Sequence, residues 1–162
     1  MSDADLLFRP DLLAKYGANG PRYTSYPTAL QFRDDFDPAD YRRAAADPGA
    51  SETDLSLYFH IPFCDTVCFY CGCNKVITKN RGRAKPYLAQ MIREVQLQAA
   101  LFDTKRPVSQ LHWGGGTPTF LSLDEMSTLM AATREHFALQ PDDAGEYSIE
   151  IDPREATAQT IA

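Results

Sequence analysis

Outside one stretch of ten residues the 162-residue chain has no cysteine, so a dispersed disulfide framework is excluded. It also has no run approaching the roughly 20 apolar residues that a membrane-spanning helix needs. Its first residues, MSDADLLFRP, show neither the basic n-region nor the apolar h-region of a secretory signal. The expectation is a cytoplasmic protein with no membrane attachment, in a compartment where disulfides are rare. Excess positive charge is missing too. A formal net charge of -6 speaks against a nucleic-acid partner, because phosphate binding needs a basic face. No repeat or low-complexity tract interrupts the chain. Its 44% hydrophobic and 23% charged residues are those of a globular protein with enough apolar material for one core.

The cysteines that are present, Cys64, Cys68, Cys71 and Cys73, follow one another as C-x3-C-x2-C-x-C. Thiolates gathered so tightly suit a soft, multi-iron acceptor, and the uneven gaps let three sulfurs point at three corners of one cube. One iron is then left without a protein ligand, which argues for chemistry at the cluster rather than electron storage. A structural zinc site is the competing reading. It usually takes two separated knuckles to close a tetrahedron, and there is no second knuckle here.

Residues 1–53 read as a leader of short pieces. Pro10 and Gly17 bound a short helix over DLLAKY, and Asp37 with Pro38 starts another through YRRAAA. Between them PRYTSYPTALQF has no helical period and is expected to run extended. From residue 54 to 162 the pattern becomes regular α/β. Leu55, Leu57 and Phe59 alternate with Ser56, Tyr58 and His60, the period of a strand that runs straight into the cysteine loop. Leu88, Met91, Ile92, Val95 and Phe102 recur at helical spacing over about 84–103. A second strand, Val108 to Trp113, leads into Gly114-Gly115-Gly116-Thr117-Pro118. Ser122 and Glu125 form a capping box for a helix turning Met126, Leu129, Met130 and Phe137 inward. A third strand spans Glu146 to Asp152, and Asp152-Pro153 reads as the start of a further helix.

Right-handed crossovers make these three strands parallel, with their carboxyl ends on one rim. The cysteine loop, the glycine run and Glu150 all fall at that rim, where α/β proteins build their active sites. If Tyr147, Ile149 and Ile151 pack against helices, Ser148 and Glu150 point to the opposite, interior face. A carboxylate there is costly unless it is paired or bonded to a ligand.

Cys64-x3-Cys68-x2-Cys71 after a first strand, with a glycine-rich turn after a second, resembles the radical S-adenosylmethionine superfamily. The strings RYTSYPTA, YFHIPFC, CGCNK, QLHWGGGTPTFL and IEIDPRE resemble, more narrowly, the oxygen-independent coproporphyrinogen III oxidases of haem synthesis. The resemblance implies the first half of a radical-SAM partial (β/α)6 barrel behind an irregular, partly helical leader. It also implies that the chain corresponds to the N-terminal third of a longer enzyme, with the activity of this third alone in doubt. The implied reaction is an oxidative decarboxylation of two propionates of coproporphyrinogen III to vinyl groups, giving protoporphyrinogen IX through a 5'-deoxyadenosyl radical.

By the same resemblance, Cys64, Cys68 and Cys71 would ligate a 4Fe-4S cluster, whereas Cys73 would not. Tyr58 would lie against the cluster-bound S-adenosylmethionine. Gly115, Gly116 and Thr117 would present backbone groups to it, and Glu150 would meet its ribose hydroxyls. A second S-adenosylmethionine would sit near Tyr70, Gly116 and Thr117. His60 either supplies or orients a proton near the cluster or is a satisfied structural histidine. Arg22 could pair with a substrate carboxylate, since its guanidinium fork matches that group.

Residues 75–85, KVITKNRGRAK, carry five cations and no acid in an otherwise acidic chain. An anionic substrate, or an acidic reductant such as flavodoxin, would be drawn to that island, although charge runs are often only solvated loops. The resemblance implies a monomer for the full-length enzyme. A haem-binding chaperone of the same superfamily is the alternative function. Such relatives generally show an aromatic residue where Cys73 stands, and they lack RYTSYPTA.

Overall fold

The computed structural model describes residues 9–17, 28–47, 49, 52–141, 144–154 and 156–161. The chain divides into two compact units, Met1–Asp37 and Pro38–Ala162. In the first, helix α1 (Pro10–Tyr16) begins on proline, and its last turn closes with Gly17 N–H donating to Leu13 O at 2.8 Å. Residues 29–31 form a 3-10 turn rather than the expected extended run, closed by Gln31 N–H on Thr28 O. Most of the tyrosine- and proline-rich segment, Arg22 included, lies outside the described residues.

The second unit opens with helix α2 (Pro38–Ala45). Tyr41 on α2 donates its hydroxyl to Gln98 at 2.6 Å and sets its ring edge-on to Phe102, which ties the helix to the α/β layers. Three longer strands form the sheet: β1 (Leu55–Ile61), β4 (Pro107–Gly115) and β6 (Glu146–Ile149). All are parallel with β4 in the middle, and a two-residue strand β5 (Ala138–Leu139) pairs with the start of β4. Helices α3 (Ala84–Ala99) and α4 (Leu123–His136) make the connections and pack on each other.

The alternation in β1 and β4 decides what faces where. Leu55, Phe59 and Ile61 on β1, with Leu111 and Trp113 on β4, are buried against Leu88, Met91 and Val95 of α3 and Leu129 of α4. Burying each such side chain favours the fold by about 1.5–3 kcal/mol. Slipping the register by one residue would move this whole set out of the core and the polar set into it. The observed register therefore places Tyr58 opposite His112 opposite Ser148, and His60 opposite Gly114. Tyr147 on the core face donates its hydroxyl to Val108 O at 2.9 Å and accepts from Gln140 N–H at 2.7 Å, which anchors β6.

Three expected boundaries differ. Helix α3 stops at Ala99 instead of 103, because Leu101 and Phe102 N–H both turn back to Gln98 O and return Phe102 to Tyr41. Strand β6 ends at Ile149 instead of 152, and Ile149 and Ile151 are exposed rather than packed against helices. Asp152-Pro153 opens a single capped turn, with Ala156 N–H on Asp152 O at 3.0 Å, and not a continuous helix. The Asp152 carboxylate accepts from Arg154 N–H at 3.0 Å, closing a local turn, and helix α5 (Ala158–Ile161) begins five residues later than Pro153.

Two short strands were not anticipated. Strands β2 (Phe63–Cys64) and β3 (Val76–Ile77) pair in parallel and clamp the cysteine loop at its base, with Val76 N–H on Pro62 O at 2.7 Å and Thr78 N–H on Cys64 O at 2.9 Å.

Candidate active site at the carboxyl ends of the strands

The three glycines that follow Trp113 each lie against a different site residue. A β-carbon at Gly114 would come within 2.9 Å of His112 Nε2 and 3.1 Å of the Glu150 carboxylate. At Gly115, whose φ of 116° already disfavours any side chain, it would meet the His60 ring at 2.9 Å. At Gly116 it would meet Cys64 Sγ at 2.8 Å and the carbonyls of Pro62 and Phe63. The absence of side chains lets β4 end in contact with β1, the cysteine loop and β6 at once.

Their N–H groups are used inside the protein. Gly115 N–H donates to Glu150 Oε2 at 3.1 Å, Gly116 N–H to Ile61 O at 2.8 Å and Thr117 N–H to Phe63 O at 2.9 Å. Thr117 is itself buried, its hydroxyl bonded to Thr119 and accepting from Asp152 N–H. What this turn can offer a ligand is a bare surface and carbonyls. Glu150 is held at both ends, by Gly115 and by its own N–H on Trp113 O at 2.9 Å, with one carboxylate oxygen 3.5 Å from His112 Nε2.

On the sheet face away from the core the polar side chains join. The ring of Tyr58 stacks on that of His112 at 5.7 Å and 14°, and His112 Nδ1 lies 2.7 Å from Ser148 Oγ. The Tyr58 hydroxyl is 3.0 Å from His60 Nδ1, and His60 Nε2 is 2.8 Å from Asn74 O. A carbonyl only accepts, so Nε2 carries the proton, and in the neutral ring Nδ1 accepts from the tyrosine. His60 thus links the tyrosine to the far end of the cysteine loop, and Tyr87 donates to its backbone carbonyl at 2.7 Å. Burial, Glu150 and Cys73 raise the Tyr58 phenol above its ordinary value, which keeps it a donor.

The cysteine loop is braced from outside. Arg81 donates to Asp65 at 2.7 Å and to Phe120 O at 2.9 Å, and its guanidinium lies over the Phe120 ring at 4.2 Å. One cation of the basic island is therefore engaged in holding the loop. Tyr70 stands almost fully exposed on the loop, beside an equally exposed Phe69.

All four cysteines are free thiols, and among the described residues no three His, Cys, Asp or Glu side chains converge as a ready-made metal cage. The donor set nevertheless fits an iron-sulfur cluster. Burial, then the charges of Cys71, Cys68 and Cys73, push the Cys64 thiol up. Thiols carried on one short loop are the donors that an iron-sulfur cluster takes. Cys71 is displaced downward by the Cys73 N–H and by Lys75. Arg154 Nη2 reaches Cys68 Sγ at 3.5 Å.

His112, Asn74, Asp152 and Arg154 join the site without having been anticipated, and Arg81 of the basic island takes a bracing role that was not expected of it. For His112 the signal was present: period-two reading of QLHWGG puts Gln110, His112 and Gly114 on one face of β4. The others are brought in by loops, whose course no periodicity encodes.

No protein-family model matches the chain. Over 151 residues it is 52% identical to the oxygen-independent coproporphyrinogen III oxidase of Pseudomonas aeruginosa, a match covering 93% of this chain and 33% of that protein. It is 48% identical over 150 residues to the protein of the same name from Mannheimia haemolytica, covering 93% of this chain and 99% of that one. Among solved structures the fold matches the coproporphyrinogen III oxidase of Escherichia coli, described as a radical SAM enzyme. The TM-score is 0.76 at 46% identity, over 90% of this chain and 31% of that one. The chain thus spans about a third of the length of most of the curated relatives it matches. With one relative matched over 99% of its length, and a solved structure sharing the fold, the chain belongs to the oxygen-independent coproporphyrinogen III oxidase family.

Proposed function

We propose that this protein converts two propionate side chains of coproporphyrinogen III to vinyl groups without oxygen, releasing carbon dioxide and giving protoporphyrinogen IX. The observation that carries the reading is the glycine turn at the end of β4, which sits against His112 and Glu150, His60 and Cys64 at once. The names of the relatives and the parallel order of β1, β4 and β6 support it, and we read the sheet as the first half of a partial (β/α)6 barrel.

Cys64, Cys68 and Cys71 would hold a 4Fe-4S cluster, with Cys73 outside the ligand set. When bound, the cluster and S-adenosylmethionine would supply one-electron radical chemistry for hydrogen-atom removal at the propionate β-carbon, and an electron acceptor would take the electron left when carbon dioxide departs. The chain's own residues aim and insulate that chemistry. Glu150, fixed by Gly115 and facing His112, accepts hydrogen bonds from ribose hydroxyls. Tyr58, stacked on His112, closes one side of the cofactor space, and His60 keeps its hydroxyl oriented. Gly115 and Gly116 leave room for close approach, and Tyr70 with Gly116 and Thr117 would border a second S-adenosylmethionine. Arg22 would pair with a substrate carboxylate.

Lys75, Lys79, Arg83 and Lys85 flank the loop and would receive an acidic reductant such as flavodoxin. Among the described residues no helix is long and apolar enough to cross a membrane. The resemblance to the family is what would make the full-length enzyme a cytoplasmic monomer. The test is anaerobic turnover of coproporphyrinogen III by the full-length protein with S-adenosylmethionine and a reductant. Vinyl-bearing products support the reading. Tight haem uptake and transfer with no vinyl product would replace it by a haem-binding chaperone.

A further inference from the structure

Arg154 lies beyond the last strand, yet its Nη2 reaches Cys68 Sγ at 3.5 Å, a sequence separation of 86 residues. It does not reach there by chance of an extended side chain. Its Nε donates to Asp152 Oδ1 at 2.9 Å, Nη2 donates to Oδ2, and its own N–H donates to Oδ1 at 3.0 Å, so the fork is held on two sides. The Asp152 N–H donates to Thr117 Oγ1 at 3.1 Å, and Thr117 N–H donates to Phe63 O at 2.9 Å. Thr117 is only 2% exposed, so this link is built into the core. The guanidinium is thereby anchored, through Asp152 and Thr117, to the strand that carries Cys64. Two of the three expected ligand sulfurs are tied into one frame.

We infer that Arg154 is a positioning residue for Cys68, whose directed N–H fixes that sulfur and raises the reduction potential of the cluster it helps to hold. The inference rests on the cluster assignment proposed above. Reduction adds an electron to the iron-sulfur core and its thiolates. A donor aimed at one sulfur stabilises that added charge more than the oxidised state, so the potential rises. The Arg154–Asp152 pair is formally neutral, and the arginine side chain is more than half exposed. The effect therefore comes from one oriented N–H of Nη2, whose nitrogen also bonds the Asp152 carboxylate, and solvent screens the rest. An arginine suits this task better than a lysine, because one edge of its planar fork can bind the carboxylate while another N–H reaches the sulfur.

The test compares the full-length, anaerobically reconstituted protein with Arg154→Gln and Arg154→Lys, reading iron content and the midpoint potential of the cluster by spectroscopically monitored titration. We expect Arg154→Gln to titrate at a more negative potential than the unaltered protein, with Arg154→Lys between the two. Iron lost from Arg154→Gln but kept by Arg154→Lys also supports the inference, since it shows that Cys68 needs the cation to be held. Equal midpoints in all three proteins, or equal loss of iron from both variants, overturns it while leaving the cluster assignment in place. An unaltered protein that takes up no iron overturns the assignment and this inference with it.

Discussion

The Sγ of Cys64 lies 2.8 Å from where a β-carbon of residue 116 would be, so the glycine is a condition for the cysteine's position. The carbonyls of Pro62 and Phe63 are equally close and belong to the backbone, so the neighbourhood cannot relax by rotating a side chain. Gly116→Ala is expected to destabilise the fold by about 1–3 kcal/mol and to displace Cys64. Iron retained after reconstitution should fall well below that of the unaltered protein. Full iron with unchanged stability to denaturant would show that the close approach is dispensable.

Tyr147 offers a test of the scaffold alone. Its hydroxyl serves Gln140 N–H and Val108 O together. Tyr147→Phe leaves a donor and an acceptor without their partner, and a loss of about 1–3 kcal/mol is expected from denaturant titration. Iron content should be unaffected at temperatures below the melt.

Much of this scaffold could be read from local pattern. The period-two runs of β1 and β4, the helical spacing of Leu88, Met91 and Val95, and the Ser122/Glu125 capping box all appear as expected. These are short-range signals, fixed by which residues can face a core and which can satisfy a helix end. The ends of elements are set by bonds that local pattern does not encode, as where Leu101 N–H turns back to Gln98 O at the end of α3. Asp152 does cap a turn, accepting from Arg154 N–H on its side chain and from Ala156 N–H on its carbonyl, but that turn is not carried on as a helix and α5 starts only at Ala158. The β2–β3 clamp joins residues twelve or more apart through two-residue strands, and such a pairing leaves no periodic trace.

The metal-free chain should show an ordered thiol reactivity. Burial and neighbouring sulfurs raise Cys64, while the Cys73 N–H and Lys75 lower Cys71. The thiolate is the nucleophile, so as pH rises Cys71 should be alkylated before Cys64. Mass spectrometry of the reduced, iron-free protein after limited iodoacetamide treatment reads the order directly. Reaction of Cys64 at the lower pH would contradict the arrangement of the loop.

The basic segment divides into structural and available charge. Arg81 braces the loop through Asp65 and Phe120, so Arg81→Ala should loosen the loop, with a stability loss of up to about 1 kcal/mol from the exposed ion pair. Neutralising Lys79 and Arg83 instead should slow association with an acidic reductant, and the difference should shrink as salt rises. Stopped-flow reduction at two ionic strengths separates the two effects. Equal rates for the Lys79/Arg83 variant and the unaltered protein at low salt would return those residues to the role of a solvated loop.

Glu150 is bonded to Gly115 and faces His112 rather than lying alone on a strand edge. Glu150→Ala and His112→Ala should each weaken S-adenosylmethionine binding while leaving iron content intact, with Glu150→Ala the more severe. Equilibrium binding to the reconstituted protein measures this. Unchanged affinity in both variants would remove the polar face of the sheet from the cofactor site.

The most direct measurement follows one hydrogen atom. Coproporphyrinogen III deuterated at the propionate β-carbons is supplied anaerobically to the full-length, reconstituted protein with S-adenosylmethionine and a reductant, and the 5'-deoxyadenosine formed is analysed by mass spectrometry. The expected result is deuterium in the 5'-deoxyadenosine together with vinyl groups on the product. Deuterium-free 5'-deoxyadenosine, or no 5'-deoxyadenosine and an unchanged tetrapyrrole, would contradict a radical decarboxylation built on this cysteine loop and glycine turn.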